Sequence, residues 1–135
     1  MTARQEIVIA ARSFLGTRWH HQGRNRAGID CIGLVVAVAH ELGLLGELDT
    51  PNYGRIPDGR TLRAGLDLYL QPTPTYQTGD VLLMRFETDP QHVGIVSDIG
   101  IIHAYAQMRK VVEHRIDEVW RKRIVCAYSF PGVEP

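Results

Sequence analysis

Gly28-Ile29-Asp30-Cys31-Ile32-Gly33-Leu34-Val35 is the stretch from which the rest of the chain can be read. It places one of only two cysteines where a glycine-containing, irregular segment gives way to an apolar run. From Leu34 the apolar positions fall at Val35, Val38, Ala39 and Leu42, which is helical spacing. Asp30 is a good N-cap residue and Gly43 a good stop signal, so the spacing predicts a helix from about Cys31 to Leu42. Cys31 then falls in the first turn, where backbone N–H groups lack intrahelical acceptors and the helix dipole is positive. Both favour a thiolate, the form in which cysteine is a nucleophile. The plain alternative is a small apolar residue packed under a helix. What decides between the two lies further along the chain.

The 135 residues are expected to make one domain, large enough for a hydrophobic core without disulfide staples. Fifteen basic residues balance fifteen acidic ones, which removes any general electrostatic case for nucleic acid or a membrane surface as partner. The longest apolar run, near Ile32 to Ala39, is too short to span a bilayer. Met1-Thr2-Ala3-Arg4-Gln5-Glu6 has no secretory pattern, so the chain reads as made in the cytoplasm and kept in a reducing compartment unless something carries it out. Both cysteines are read as free thiols, with Cys126 a packing residue in the last strand.

In chain order, Thr2-Ala3-Arg4-Gln5 has the form of a capping box before a first helix, marked by Ile7, Val8, Ala10, Ala11, Phe14 and Leu15 and ended by Gly16. Residues 17–29 read as irregular and polar. Gly43 to Gly59 reads as a loop. A short helix follows at Thr61 to Leu70, stopped by Gln71-Pro72-Thr73-Pro74. The character then changes. Strands are predicted at Val81–Phe86, His92–Ser97, Ile101–Ala106, Lys110–Ile116 and Arg123–Phe130, with one helical turn near Asp117–Trp120. Links this short require antiparallel pairing. The expected fold is α+β, with N-terminal helices packed on a C-terminal antiparallel sheet of about five strands.

A cysteine nucleophile needs a base, and a third polar group helps by orienting that base. His92 opens one predicted strand and His103 sits in the next, across the turn at Asp98 to Gly100. If the two share a face, His103 can bond one ring nitrogen of His92 and leave the other for Cys31. This gives nucleophile, base and orienter in the order Cys31, His92, His103. His40 and His114 read as solvated or interface positions, and His20 and His21 as cleft-lining candidates. Cys31 with His20, His21, His92 and His103 also offers donors enough for zinc. No CxxC, HxxxH or HExxH spacing supports that, so neither a metal nor any other cofactor is expected.

Asp30-Cys31-Ile32-Gly33-Leu34-Val35, then His92-Val93-Gly94-Ile95-Val96, then Ile102-His103-Ala104 closely resembles the NlpC/P60 family of cysteine peptidases. The Gly79-Asp80 pair before a strand matches the same pattern. The resemblance implies a papain-like α+β fold and hydrolysis of peptidoglycan stem peptides, typically at the γ-D-glutamyl link to a diamino acid. It implies Cys31 as nucleophile, His92 as base and His103 as the third polar residue. The Cys31 backbone N–H would serve the oxyanion. The family usually carries a tyrosine upstream of the nucleophile. Here Trp19 stands there, with His20 and His21 beside it, so Trp19 and His21 become candidates for oxyanion or substrate contacts. Ile32 replaces a serine which, with Asp30, contacts the substrate's amino terminus in some relatives.

Leu15-Gly16-Thr17, His21-Gln22-Gly23-Arg24 and Val111-Val112-Glu113-His114-Arg115 with Trp120-Arg121 resemble the phage-tail branch of the family. That implies an enzyme associated with a virion tail, with tail proteins as further partners. A non-catalytic tail component, or an acyltransferase or amidase using the same three residues, is the alternative reading.

Overall fold

The computed structural model describes residues 2–44, 59–86 and 90–135. Helix α1 (Arg4–Arg12) buries Ile7, Val8, Ala10 and Ala11. Its start differs from the capping box expected of Thr2 and Gln5. Ala3 is the N-cap residue and makes no side-chain cap. Thr2 instead pairs with the C-terminal segment, donating to the Gly132 carbonyl at 3.0 Å, and the Glu134 carboxylate accepts from the Arg4 amide at 3.0 Å. A carboxylate 130 residues away thus fills the capping role, which no local pattern reveals.

The segment read as irregular folds into a two-stranded hairpin, β1 (Arg24–Asn25) with β2 (Gly28–Ile29), and Trp19 bridges to Ile29. Helix α2 (Cys31–Glu41) follows directly, capped by Asp30. It ends as expected. Gly43 takes φ +65°, and the Leu44 amide returns to the Ala39 carbonyl at 2.8 Å. The predicted Gly43–Gly59 loop falls largely on 45–58, outside the described residues. Helix α3 spans Gly59–Tyr69.

The sheet has six strands, one more than expected. They are β3 (Gln71–Thr73), β4 (Val81–Arg85), β5 (Pro90–Val96), β6 (Ile101–Tyr105), β7 (Lys110–His114) and β8 (Ile124–Ser129), in the order β3-β8-β4-β5-β6-β7, all antiparallel. The extra strand is the segment read as a helix stop. Pro72 is tolerated because β3 lies at the sheet's edge, where one side needs no N–H donor. A 3₁₀ turn (Ala106–Met108) links β6 to β7, and helix α4 (Glu118–Arg121) is the single turn expected before β8.

Strand alternation divides the core. On one side Val81, Leu83, Val93, Ile95, Ile102, Ala104 and Val111 pack against α1, α2 and α3. On the other, Leu82, Met84, Val96, Ile101 and Ala127 form a smaller cluster, with Ile116, Trp120 and Ile124 against it. Cys126 is half-buried and packs against the larger cluster. At the entry to β4, Asp80 is fully buried and accepts from Arg4, Ser129 and the Gln77 amide at 2.7, 2.7 and 2.8 Å. This buried, fully partnered carboxylate ties the start of α1 to the sheet. Among the described residues, no helix is long and apolar enough to cross a membrane.

Candidate active site

Cys31 sits in the first turn of α2, and Asp30 explains why it is held there. Asp30 Oδ1 accepts from the Gly33 amide at 2.7 Å and from Arg24 at 3.4 Å, while Oδ2 accepts from the Gln22 amide at 2.8 Å. One carboxylate therefore caps the helix and anchors the preceding turn. Gly33 is what allows that turn to close over the helix. A Cβ there would lie 2.0 Å from the Gly23 carbonyl oxygen, a backbone atom that cannot swing aside. Ile32 is buried in the main core.

The sheet supplies the other half of the site. Backbone pairing between β5 and β6 is confined to Ile95↔Ile102 and Val96↔Ile101, whereas β5 pairs with β4 from Pro90 to Ile95, with one register shift. Towards its start β5 thus splays from β6. In the gap the two strands are joined by side chains, with His92 Nε2 2.6 Å from His103 Nδ1. The rings share a face of the sheet, because the register Val96↔Ile101 gives 92 and 103 the same parity, and they meet edge to face. Continuing the register puts Gly94 opposite His103. A Cβ at Gly94 would lie 3.1 Å from His103 Cβ and 2.5 Å from Ile101 Cδ1, so the glycine leaves room for the Ile101 side chain and the base of His103.

Cys31 meets this edge at Val93, the residue after His92. The Val93 backbone amide stabilises the negative sulfur, as do those of Ile32 and Cys31 itself. These amides do not prevail. Burial pushes the thiol up to about 12, and the Asp30 carboxylate adds to the rise. Burial also lowers His92 to about 3, helped by the positive charge of Arg123, and lowers His103 to about 2, helped by His92 and His114. The expectation that the helix start keeps Cys31 as a standing thiolate is therefore corrected. Desolvation outweighs the dipole, so near neutral pH Cys31 rests as a thiol.

His114 overturns a second expectation. Read as a solvated or interface residue, it is half-buried, and its Nε2 stands 2.8 Å from His103 Nε2. Its Nδ1 is 2.8 Å from the Arg115 carbonyl oxygen. Glu113 and Arg115 beside it suggest solvent, but β7 pairs His114 with Ile101, on the side of the sheet that carries His103. The equal spacing of 92, 103 and 114 across two successive hairpins was the available signal. Phe86, Tyr105 and Trp120 surround the three rings, and Arg123 stacks over Trp120 at 4.5 Å and Phe86 at 5.0 Å.

Of the remaining sequence candidates, Trp19 is half-buried against the main core. Its backbone bridges to Ile29 and donates to the Arg109 carbonyl at 2.9 Å. His21 lies in the tight turn closed by the Gly23 amide on the His20 carbonyl at 2.9 Å. Both stand on the loop that folds over the start of α2. His40 is exposed. Among the described residues, no group of three or more His, Cys, Asp or Glu side chains is arranged to hold a metal ion.

Residues 16–129 match the sequence model of the NlpC/P60 family. The chain belongs to the NlpC/P60 family. Solved structures share its fold. The NlpC/p60 domain of the peptidoglycan hydrolase SagA is 21% identical with a TM-score of 0.64, the match covering 94% of this chain and 98% of that one. An NlpC/P60 family protein from Bacillus cereus is 18% identical with a TM-score of 0.72, over 95% of this chain and 40% of the other. NlpC1 from Trichomonas vaginalis is 16% identical with a TM-score of 0.66, over 94% and 43%. This chain thus spans less than half of the latter two proteins. No curated protein matches it in sequence. The α+β fold expected from the strand and helix pattern is the fold of this family.

Proposed function

We propose that this NlpC/P60 domain is a cysteine peptidase that hydrolyses peptidoglycan stem peptides, with Cys31 as nucleophile, His92 as base and His103 as its orienter. The observation that carries the reading is the junction at the splayed β5–β6 edge. There the thiol abuts the Val93 amide, and His92 is held by His103 through Nε2, leaving Nδ1 as its remaining nitrogen. The SagA domain, described as part of a peptidoglycan hydrolase, supports the substrate class.

The reaction begins from neutral partners. As Cys31 Sγ attacks the amide carbonyl carbon, its proton passes to His92, so the sulfur is never a free buried anion. The carbonyl oxygen becomes an oxyanion facing the Cys31 amide, which precedes the first intrahelical acceptor of α2. His92 returns the proton to the departing amine, and the C–N bond breaks to leave a thioester. Water then attacks that thioester. His92 takes its proton, and the sulfur leaves with a proton as the acid is released. No cofactor takes part.

The γ-D-glutamyl–diamino acid bond is the proposed target, and association with a phage tail is part of the same proposal. Both rest on sequence likeness at the motifs around Cys31, His92 and His114. Substrate contacts by Asp30, Trp19 and His21 are proposed from their place on the loop over Cys31, with Asp30 acting chiefly as the helix cap.

Digestion of purified muropeptides, read by mass spectrometry, tests the reading. The wild type is expected to release fragments cut at the γ-D-glutamyl bond and Cys31→Ala none. Fragments from the alanine variant overturn the reading. Transfer of the acyl group to an added amine, with no hydrolysis, replaces it with the acyltransferase alternative.

A further inference from the structure

The three imidazoles end on a group that can only accept. The Arg115 carbonyl oxygen lies 2.8 Å from His114 Nδ1, so that nitrogen must carry the proton. With the ring neutral, His114 Nε2 is then a lone pair, and at 2.8 Å it must receive its proton from His103 Nε2. His103 Nδ1 is in turn a lone pair, and at 2.6 Å it receives from His92 Nε2. His92 is left with its lone pair on Nδ1. Each step follows because a neutral imidazole has one donor and one acceptor. The inner two rings are 5% and 0% exposed, an environment that keeps them uncharged.

We propose that His114 is a positioning residue that, through Arg115 O and His103, holds His92 as the Nε2–H tautomer with its basic nitrogen free for Cys31. The inference rests on the Cys31–His92 reading and extends it by one residue. The alternative tautomer of His92 carries its hydrogen on Nδ1 and cannot take a proton there. Once His92 is protonated, the three aligned N–H bonds all point away from it, so the same file stabilises the imidazolium. No proton need travel along the file. Tyr105 and Trp120 flank His103 at centroid distances of 5.1 and 5.0 Å and limit its rotation away from this alignment.

Two variants separate positioning from packing. Glutamine at 114 offers a carbonyl oxygen near the place of Nε2, whereas phenylalanine fills the space without an acceptor. Nitrogen NMR of the full chain labelled with ¹⁵N-histidine is expected to show wild-type His92 and His103 protonated on Nε2 and His114 on Nδ1. Alkylation of Cys31 by iodoacetamide, located by mass spectrometry, is expected to slow 10–100-fold in His114→Phe, on the scale typical of lost outer-shell partners. His114→Gln is expected to stay within about threefold of wild type, since it keeps the acceptor. The proposal is overturned by a wild-type His92 protonated on Nδ1, or by His114→Phe alkylating as fast as wild type. It is also overturned if His114→Gln falls as far as His114→Phe. The wild-type spectrum decides even where a variant does not fold. Expected tautomers together with no muropeptide cleavage leave the file standing and remove the peptidase reading instead.

Discussion

On the side of the sheet that meets α1, α2 and α3, Val81, Leu83, Val93, Ile95 and Ile102 are aliphatic and almost wholly buried. On the other side, His92, His103 and His114 run among Phe86, Tyr105 and Trp120. The two sides are built from the same strands and obey the same alternation, yet they are held in different ways. The aliphatic side needs only volume and non-polarity, and similar residues can exchange there at modest cost. The imidazole side depends on directed hydrogen bonds between neighbouring rings, two of them buried. Cys31 belongs to the first side by packing and meets β5 at the Val93 backbone, next in sequence to His92. The proposed chemistry joins Cys31 on the first side to His92 on the second.

Breaking that meeting point should give the largest effect. Cys31→Ala is expected to abolish muropeptide hydrolysis while keeping the circular dichroism spectrum and melting cooperativity of the wild type. His103→Ala comes next. It strands His92 Nε2 without a partner, and hydrolysis is expected to fall at least about 100-fold, which steady-state rates would show. Leu83→Ala probes the aliphatic side alone. It should cost about 2–5 kcal/mol of stability by urea denaturation, while the Cys31 alkylation rate of the folded protein stays unchanged.

Acid separates the two sides without mutation. Burial lowers His92 to about 3 and His103 to about 2, while an unfolded chain keeps histidine near 6.5. Between these values the unfolded state binds more protons, so stability falls as pH falls from about 6.5 towards 3. Each ring contributes a slope of up to about 1.4 kcal/mol per pH unit. Urea midpoints taken from pH 7 to pH 4 should show this loss, and His103→Gln should remove part of the slope. A smaller effect tests the long-range cap. Glu134→Ala is expected to cost about 0.5–2 kcal/mol by unsatisfying the start of α1, with no change at the site.

Much of this was legible in the residues because local rules and tertiary packing agree. Helical spacing after Asp30 located α2 and placed Cys31 in its first turn. The turn at Asp98–Gly100 put His92 and His103 on neighbouring strands, whereas their sharing a face follows from the observed register Val96↔Ile101. Where the reading failed, a distant partner outweighed a local rule. Thr2 looked like a cap, but it pairs with the C-terminal segment, and Glu134 supplies the capping oxygen. Pro72 looked like a helix stop, but at an edge it joins β8. His114 looked solvated because of its charged neighbours in sequence, while its neighbours in space are His103 and Trp120. Cys31 looked like a thiolate because the helix start is visible in sequence and the degree of burial is not.

The most direct test of the central claim is the pH dependence of Cys31 alkylation in the wild type and in His92→Ala. A thiol pushed up to about 12 has almost no thiolate at neutral pH. Without a base its rate must climb about tenfold per pH unit from pH 5 to pH 9, because the thiolate is the nucleophile. That climb is expected in His92→Ala, and a nearly flat, faster profile in the wild type, whose proton passes to His92. A wild-type profile that climbs in step with His92→Ala would contradict it.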